Sequence, residues 1–257
     1  MMKTRTWTLL SAVSRKGRDT LRCALAGRRR GMAPPVPGRF QPYNHTLPNR
    51  YPWLFRFARD FFAGRHELKL LSFGCSRGDE VFALQECFPA ATIRGIDIDP
   101  ANIACCLVRS NAARCARLSF AAAATTRAEA PESYDAIFCL AVLCHGDLST
   151  YGARRCDPLL HFEDFESMAA DFARCLKPGG LLLLHTTNFR FCDTSVFEQF
   201  IPVLEAEPGQ MAADVLFDRH NRLMEGECYR AVAFRKRASH PESAPELRGT
   251  ARPAAGG

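Results

Sequence analysis

Asp97 stands about 20 residues beyond a glycine-bearing turn, a spacing at which a carboxylate can accept hydrogen bonds from ribose hydroxyls. The stretch that carries it, Leu68 to Pro100, reads LKLLSFGCSRGDEVFALQECFPAATIRGIDIDP. Gly74 and Gly78 bracket the turn, where a missing Cβ lets the backbone approach a ligand closely. Asp79 and Glu80 follow at the start of a helix. Their carboxylates use the field of the helix N-terminus and would repel a pyrophosphate placed there. A dinucleotide turn also carries G-x-G-x-x-G, whereas this one is G-x-x-x-G. The pattern points to a nucleoside-bearing ligand without a phosphate chain.

A second set of candidates follows later strands, where α/β sheets place their ligands. His145, after the fourth strand, is a base, a substrate contact or a plain loop histidine. His185, Thr186, Thr187 and Asn188 follow the fifth. Asn188 and Arg190 either touch a substrate or form a turn. Before the first strand, Tyr43, His45, Arg50 and Tyr51 are possible pocket-lining groups.

The elements that must position these groups are legible as periodicity. Leu68, Leu70 and Leu71 suit a strand buried on both faces. Residues 79–88 form a helix with Val81, Leu84 and Phe88 on one face, and Thr92 to Ile98 the second strand. A helix over 100–111, a strand over 118–122 and a strand over 133–141 follow. Phe162–Leu176 is an amphipathic helix, stopped by Pro178 and Gly179–Gly180 ahead of the strand Leu181–His185. Thr194–Leu204 reads as a helix interrupted by Pro202. Asp214–Phe217 and Tyr229–Phe234 read as a final antiparallel pair. Near the N-terminus, Pro52 and Gly64 bound a helix rich in aromatics. Alternating strands and helices with a terminal pair imply a three-layer α/β sandwich.

Composition narrows the classes. At 257 residues the chain accommodates one α/β domain with extensions. The net charge of +7 is unevenly spread. Residues 1–50 hold eleven Lys and Arg against Asp19 alone, so the rest of the chain is net acidic. A nucleic-acid role would rest on the first fifty residues and is not expected. The twelve cysteines include no C-x-x-C pair, which argues for small buried side chains in a reducing cytoplasm and against a metal site. No apolar run approaches 18 residues, so no membrane span is expected. The division expected is a basic, disordered arm over 1–32, an extension and helix covering the pocket over 33–66, a core over 67–237, and a disordered tail over 238–257. The arm has two other readings, an organellar transit peptide or a start site upstream of the true one at Met32.

From about Leu68 to Arg235 the chain resembles the class I S-adenosylmethionine-dependent methyltransferases. Ser72 to Gly78 resembles their first, cofactor-binding motif, and Gly95 to Pro100 their acidic second-strand tip. Tyr134 to Ile137, on to His145, resembles the fourth strand and its loop, and Leu176 to Gly180 the turn before the fifth. Ser72 and Ser76 stand where many members have an acid and a glycine, and make the first motif locally similar to the chemoreceptor glutamate methyltransferases. The resemblance implies a Rossmann-like, mostly parallel seven-stranded sheet with an antiparallel last strand. It implies S-adenosylmethionine as cofactor, held by Ser72, Gly74, Cys75, Ser76, Gly78, Asp97, Ile98 and Leu140. Its ammonium and sulfonium suit an acid-flanked turn better than NAD does. His145 is then the candidate catalytic residue, and Tyr43, Tyr51, His185 and Asn188 are substrate candidates. The activity implied is methyl transfer to a small molecule or a protein side chain. The alternatives are a non-catalytic cofactor-binding scaffold, an RNA methyltransferase using the basic arm, and a nucleotide-dependent oxidoreductase. Adenine or cytosine N-methylation is disfavoured, because CLAVLCHG replaces the Asn/Asp-Pro-Pro-aromatic motif.

Overall fold

The computed structural model describes residues 39–238, apart from 45, 48, 151, 158 and 212–214. The expected arm over 1–32, the expected tail beyond 238 and the candidate His45 lie outside the described residues. Seven strands form one sheet: β1 (Lys69–Phe73), β2 (Thr92–Asp97), β3 (Leu118–Ala122), β4 (Tyr134–Leu140), β5 (Leu176–His185), β6 (Phe200–Glu205) and β7 (Ala231–Lys236). Their order is β3-β2-β1-β4-β5-β7-β6. β1 to β5 run parallel, and β7 is antiparallel to both β5 and β6. Among the described residues the helices are α1 (Pro52–Phe61), α2 (Asp79–Cys87), α3 (Pro100–Ala113), the short α4 (Gly146–Thr150) and α5 (Phe162–Cys175).

The alternation of side chains along the strands sorts the core into two layers. Leu70, Ile93, Ala136, Phe138, Leu181 and Leu183 pack with Leu54, Phe55 and Ala58 of α1, Val81 and Leu84 of α2, and Ile103 and Cys106 of α3. Leu71, Phe73, Ile96, Ile137, Leu182 and Leu184 face the other way, onto Phe165, Met168, Ala169 and Phe172 of α5. Every residue of β4 is buried, as a central parallel strand requires. A fully buried side chain such as Phe138 contributes about 1.5–3 kcal/mol.

The LKPGG stretch is part of β5, and it shifts the register against β4. Tyr134 pairs with Leu176, but Ala136 pairs with Leu181. The extra residues bulge around Asp135, whose carboxylate takes the Lys69 amide and Lys177 Nζ, each at 2.8 Å, and also pairs with Arg65. Gly180 must be glycine there, since a Cβ would stand 2.9 Å from the Asp135 carbonyl oxygen.

Two expectations near the C-terminus are corrected. The segment expected as a helix over 194–204 is a 3-10 turn (Phe197–Gln199) followed by strand β6. Pro202, read as a helix interruption, sits on the outermost strand, where its missing N–H leaves no ladder bond unmade toward a further strand. The segment expected as a strand before the DRHNRLMEGE connection makes only isolated bridges through Phe217, to Phe189 and Leu223. The antiparallel partner of β7 is therefore β6.

Candidate functional site

The turn after β1 is built on backbone bonds to β2. The amides of Gly74 and Cys75 both donate to the Ile96 carbonyl, at 2.8 and 3.0 Å. Gly74 and Gly78 take left-handed φ values of 72° and 89°. Gly78 caps the start of α2. The sequence led us to expect ligand approach above Gly74, but Val142 fills that space. A Cβ there would lie 2.3 Å from a Val142 methyl carbon. The glycine admits the β4 loop, which closes the turn from above.

Asp97 is the hub of the site. Its Oδ2 accepts from the Ser76 amide at 2.8 Å. Its Oδ1 accepts from the Asp99 amide at 2.8 Å and from Asn102 Nδ2 at 3.0 Å. Three of roughly four acceptor positions are thus filled, leaving one for a ligand hydroxyl. Asp99 caps α3 through the Ala101 amide at 2.9 Å. Ile98 lies half-buried between these two aspartates. Asn44, from the segment ahead of α1, reaches over the hub. Its Nδ2 donates to Asn102 Oδ1 at 2.7 Å, and its Oδ1 pairs with the Ser76 hydroxyl. Sequence reasoning missed Asn44 and Asn102, because neither belongs to a local pattern.

The two acids at the start of α2 have separate fates. Asp79 pairs with Arg109 of α3 at 2.7 Å. Glu80 turns inward, where Ser72, itself fully buried, donates to its Oε1 at 2.7 Å. Burial pushes the Glu80 carboxyl up to about 7, against the opposing pull of the Ser72 hydroxyl and of Arg50. The carboxylate missing at position 72 is thus supplied from the helix. The neighbouring Cys75 is buried, and its thiol is pushed well up by a hydrogen bond to Cys106 and by burial.

The rim is strained in a regular way. Ser76 in the turn after β1, Ala141 directly after β4 and Thr186 directly after β5 have φ values of 49°, 58° and 59°. Each is a non-glycine residue in the left-handed region, at a cost of about 1–3 kcal/mol, and such strain clusters at functional sites. Leu140, nearly buried, ends β4 beside this rim.

His145 is buried, and its amide donates to Asn188 Oδ1 at 2.7 Å. Its Nδ1 lies 3.4 Å from the Asp147 amide, so in the neutral ring the proton belongs on Nε2. Burial lowers its pKa, with Asp147 opposing. Asn188 has no exposed surface, and its Nδ2 donates to the Val215 carbonyl at 2.7 Å. The geometry makes it a staple between the loops after β4 and β5, which corrects its expected place among substrate contacts. Arg190 is likewise engaged, by Asp193 at 2.8 and 2.9 Å. Tyr43 does reach the site: its hydroxyl donates to Asp147 Oδ1 at 2.6 Å, beside Gln41 on Cys144 Sγ at 3.3 Å. Residues 41–44 therefore strap the β1–β2 side to the β4 side.

His185 sits under the Tyr51 and Trp53 rings, with centroids 4.8 and 5.8 Å away. It lines a cavity of about 120 Å³ together with Thr186, Thr187, Met211, Leu216 and Tyr229. Among the described residues, no three His, Cys, Asp or Glu side chains come together to hold a metal ion. Among them, too, no helix is long and apolar enough to cross a membrane.

Residues 71–182, which hold the turn, Asp97, the β4 loop and most of β5, match the family model described as a methyltransferase domain. That segment is similar to a methyltransferase domain, and the seven-stranded sheet around it is Rossmann-like. No curated protein matches the sequence. Solved methyltransferases are similar to the chain at low identity. Phosphoethanolamine N-methyltransferase 2 of Haemonchus contortus, in complex with S-adenosyl-L-methionine, is 20% identical, with a TM-score of 0.43, over 56% of this chain and 30% of its own. Coclaurine N-methyltransferase is 14% identical, with a TM-score of 0.41, over 55% of this chain and 36% of its own. Geranyl diphosphate C-methyltransferase of Streptomyces coelicolor is 14% identical, with a TM-score of 0.39, over 52% and 45%. The similarity thus spans less than half the length of each. Within the matched residues, Ser76 and Asp97 are brought into direct contact, and Ser72 is joined to Glu80 behind them.

Proposed function

We propose that this protein transfers a methyl group from S-adenosylmethionine to a small-molecule acceptor or a protein side chain. The observation that carries the reading is Glu80, a carboxylate turned inward at the end of β1, where a dinucleotide would need to place its pyrophosphate. A ligand bearing an ammonium and a sulfonium meets complementary charge there. The remaining acceptor position on Asp97 fits one ribose hydroxyl. Ser72, Gly74, Cys75, Ser76 and Gly78 shape the turn, and Ile98 and Leu140 give apolar walls. Arg50 stacks over the Tyr51 ring at 5.1 Å. When bound, the sulfonium supplies a methyl group already activated for in-line displacement.

The protein then has to align an acceptor and keep water out. The strap over residues 41–44 and helix α1 cover the pocket in this reading. Its anchors on Ser76, Asn102 and Asp147 support that role. His145 and Tyr43 stand at the acceptor mouth, and His185 and Tyr51 at its β5 side.

Titration calorimetry tests the reading. S-adenosylmethionine and its demethylated product should both bind, and NAD should not. Binding of neither cofactor form would overturn it. Binding without turnover on any acceptor would favour a non-catalytic scaffold.

A further inference from the structure

Three side chains beside the proposed acceptor site form a hydrogen-bond chain whose direction is set by a carbonyl. The Gln210 carbonyl oxygen can only accept, so a neutral His185 ring carries its proton on Nε2, 2.8 Å away. Nδ1 is then the lone pair, and it accepts the Thr186 hydroxyl proton at 2.7 Å. With that proton committed, the Thr186 oxygen faces the Tyr51 hydroxyl, 3.5 Å off, as its acceptor. Tyr51 thereby stands beside the end of β5, with Arg50 over its ring at 5.1 Å. At the far end, His185 lies beside the Tyr51 and Trp53 rings and borders the 120 Å³ cavity, which Glu227, Cys228 and Tyr229 also line.

We propose that Tyr51, Thr186 and His185 form a proton path from the acceptor atom to the cavity behind β5, an inference that rests on methyl transfer being the function. In the step, the acceptor atom forms its bond to the methyl carbon while the carbon–sulfur bond breaks and its electron pair stays on sulfur. The acceptor's proton moves to the Tyr51 oxygen, the Tyr51 proton to Thr186, and the Thr186 proton to His185 Nδ1. One positive charge leaves sulfur and one arrives on the imidazole. There the Gln210 carbonyl accepts from Nε2–H and favours it. Tyr51 is the catalytic residue of this path, and Thr186 and His185 act through it. The acceptor must then be a nucleophilic atom with a proton to lose, such as a hydroxyl, a thiol or a primary or secondary amine. A thioether or a tertiary amine would make the path idle.

Thr186→Val is the decisive variant, because valine keeps the β-branched shape in the left-handed backbone and loses only the hydroxyl. Ring-labelled histidine NMR of the full chain, with His185 assigned through His185→Gln, should show the Nε2–H tautomer with a hydrogen-bonded Nδ1. Thr186→Val should move that Nδ1 signal to the unbonded position, and Thr186→Ser should restore it. Release of the demethylated cofactor is followed in parallel with a phenol, an alkyl thiol and a primary amine as acceptors. Thr186→Val and Tyr51→Phe should lower kcat about 100-fold with KM little changed, and Thr186→Ser should recover most of it. An Nδ1 signal or a kcat indifferent to Thr186→Val overturns the path. Cofactor binding without turnover on all three acceptors overturns the acceptor class and the path with it. Failure of the cofactor to bind overturns the proposed function instead.

Discussion

Ser72 and Glu80 are joined at 2.7 Å across the turn between β1 and α2, and this bond pulls against the burial that raises the Glu80 pKa. The Glu80 carboxyl has a folded-state pKa of about 7, against about 4.3 in an unfolded chain. Between those values the native state binds the extra proton. On this account stability is greatest below the unfolded value and falls as pH rises toward 7. Urea unfolding at pH 5, 6, 7 and 8 should show that decline in the wild type and a flatter profile in Glu80→Gln. A cationic ligand should also expel the proton. Calorimetry in two buffers of different ionisation enthalpy should therefore detect proton release near pH 6.5 in the wild type only.

Gly74 and Val142 interlock. Gly74→Ala places a Cβ against the valine at a φ that disfavours any side chain. A loss of about 2–4 kcal/mol is expected in urea unfolding. Val142→Ala in the same chain should return about 1–2 kcal/mol of it, and strict additivity would show that the two residues do not interlock.

Asp97 holds the turn as well as the proposed ribose. Asp97→Ala should weaken S-adenosylmethionine binding by about 1–3 kcal/mol and lower Tm, because the Ser76 and Asp99 amides lose their acceptor. Asp97→Asn should fall between, since its amide oxygen can keep one side of the hub. Unchanged affinity in Asp97→Ala would remove it from the cofactor site.

Asp135 is a buried anchor at the opposite end of β4. Burial works to raise its pKa, but Lys177, the Lys69 amide and Arg65 outweigh this and hold the carboxyl below its ordinary value. Its contribution is therefore present above the unfolded carboxylate pKa and lost as pH falls through the folded one. Asp135→Ala should cost about 2–3 kcal/mol at pH 7 and little at pH 2–3, read by urea unfolding at both.

Much of this architecture was legible because parallel strands are buried on both faces. Leu70, Leu71, Ile137, Phe138 and Leu181 to Leu184 form unbroken apolar runs that need little context. Pro52 and Asp99 mark the starts of α1 and α3 by local chemistry alone. The edge of the sheet was harder. Phe200 to Glu205 carries a proline and alternates only loosely, and its pairing with β7 is decided by partners some 30 residues away. The same divide runs through the site. The turn and Asp97 have a local spacing. Asn44, Val142 and Asn188 take their roles from contacts far along the chain, and a sequence holds no local sign that an asparagine's amide is already spent on a neighbouring loop.

The strap has a further consequence for how the protein comes into being. Tyr43 and Asp147 are 104 residues apart in the chain, and Gln41 and Cys144 are 103 apart. The covering segment leaves the ribosome first, while half of its seat has yet to be made. Contacts of such separation form late and slowly. The turn, Asp97 and the first helices can assemble before the strap's anchors on the β4 side exist. During that interval the newborn domain offers an open cleft, and its N-terminal segment is the stretch most exposed to a protease or a chaperone.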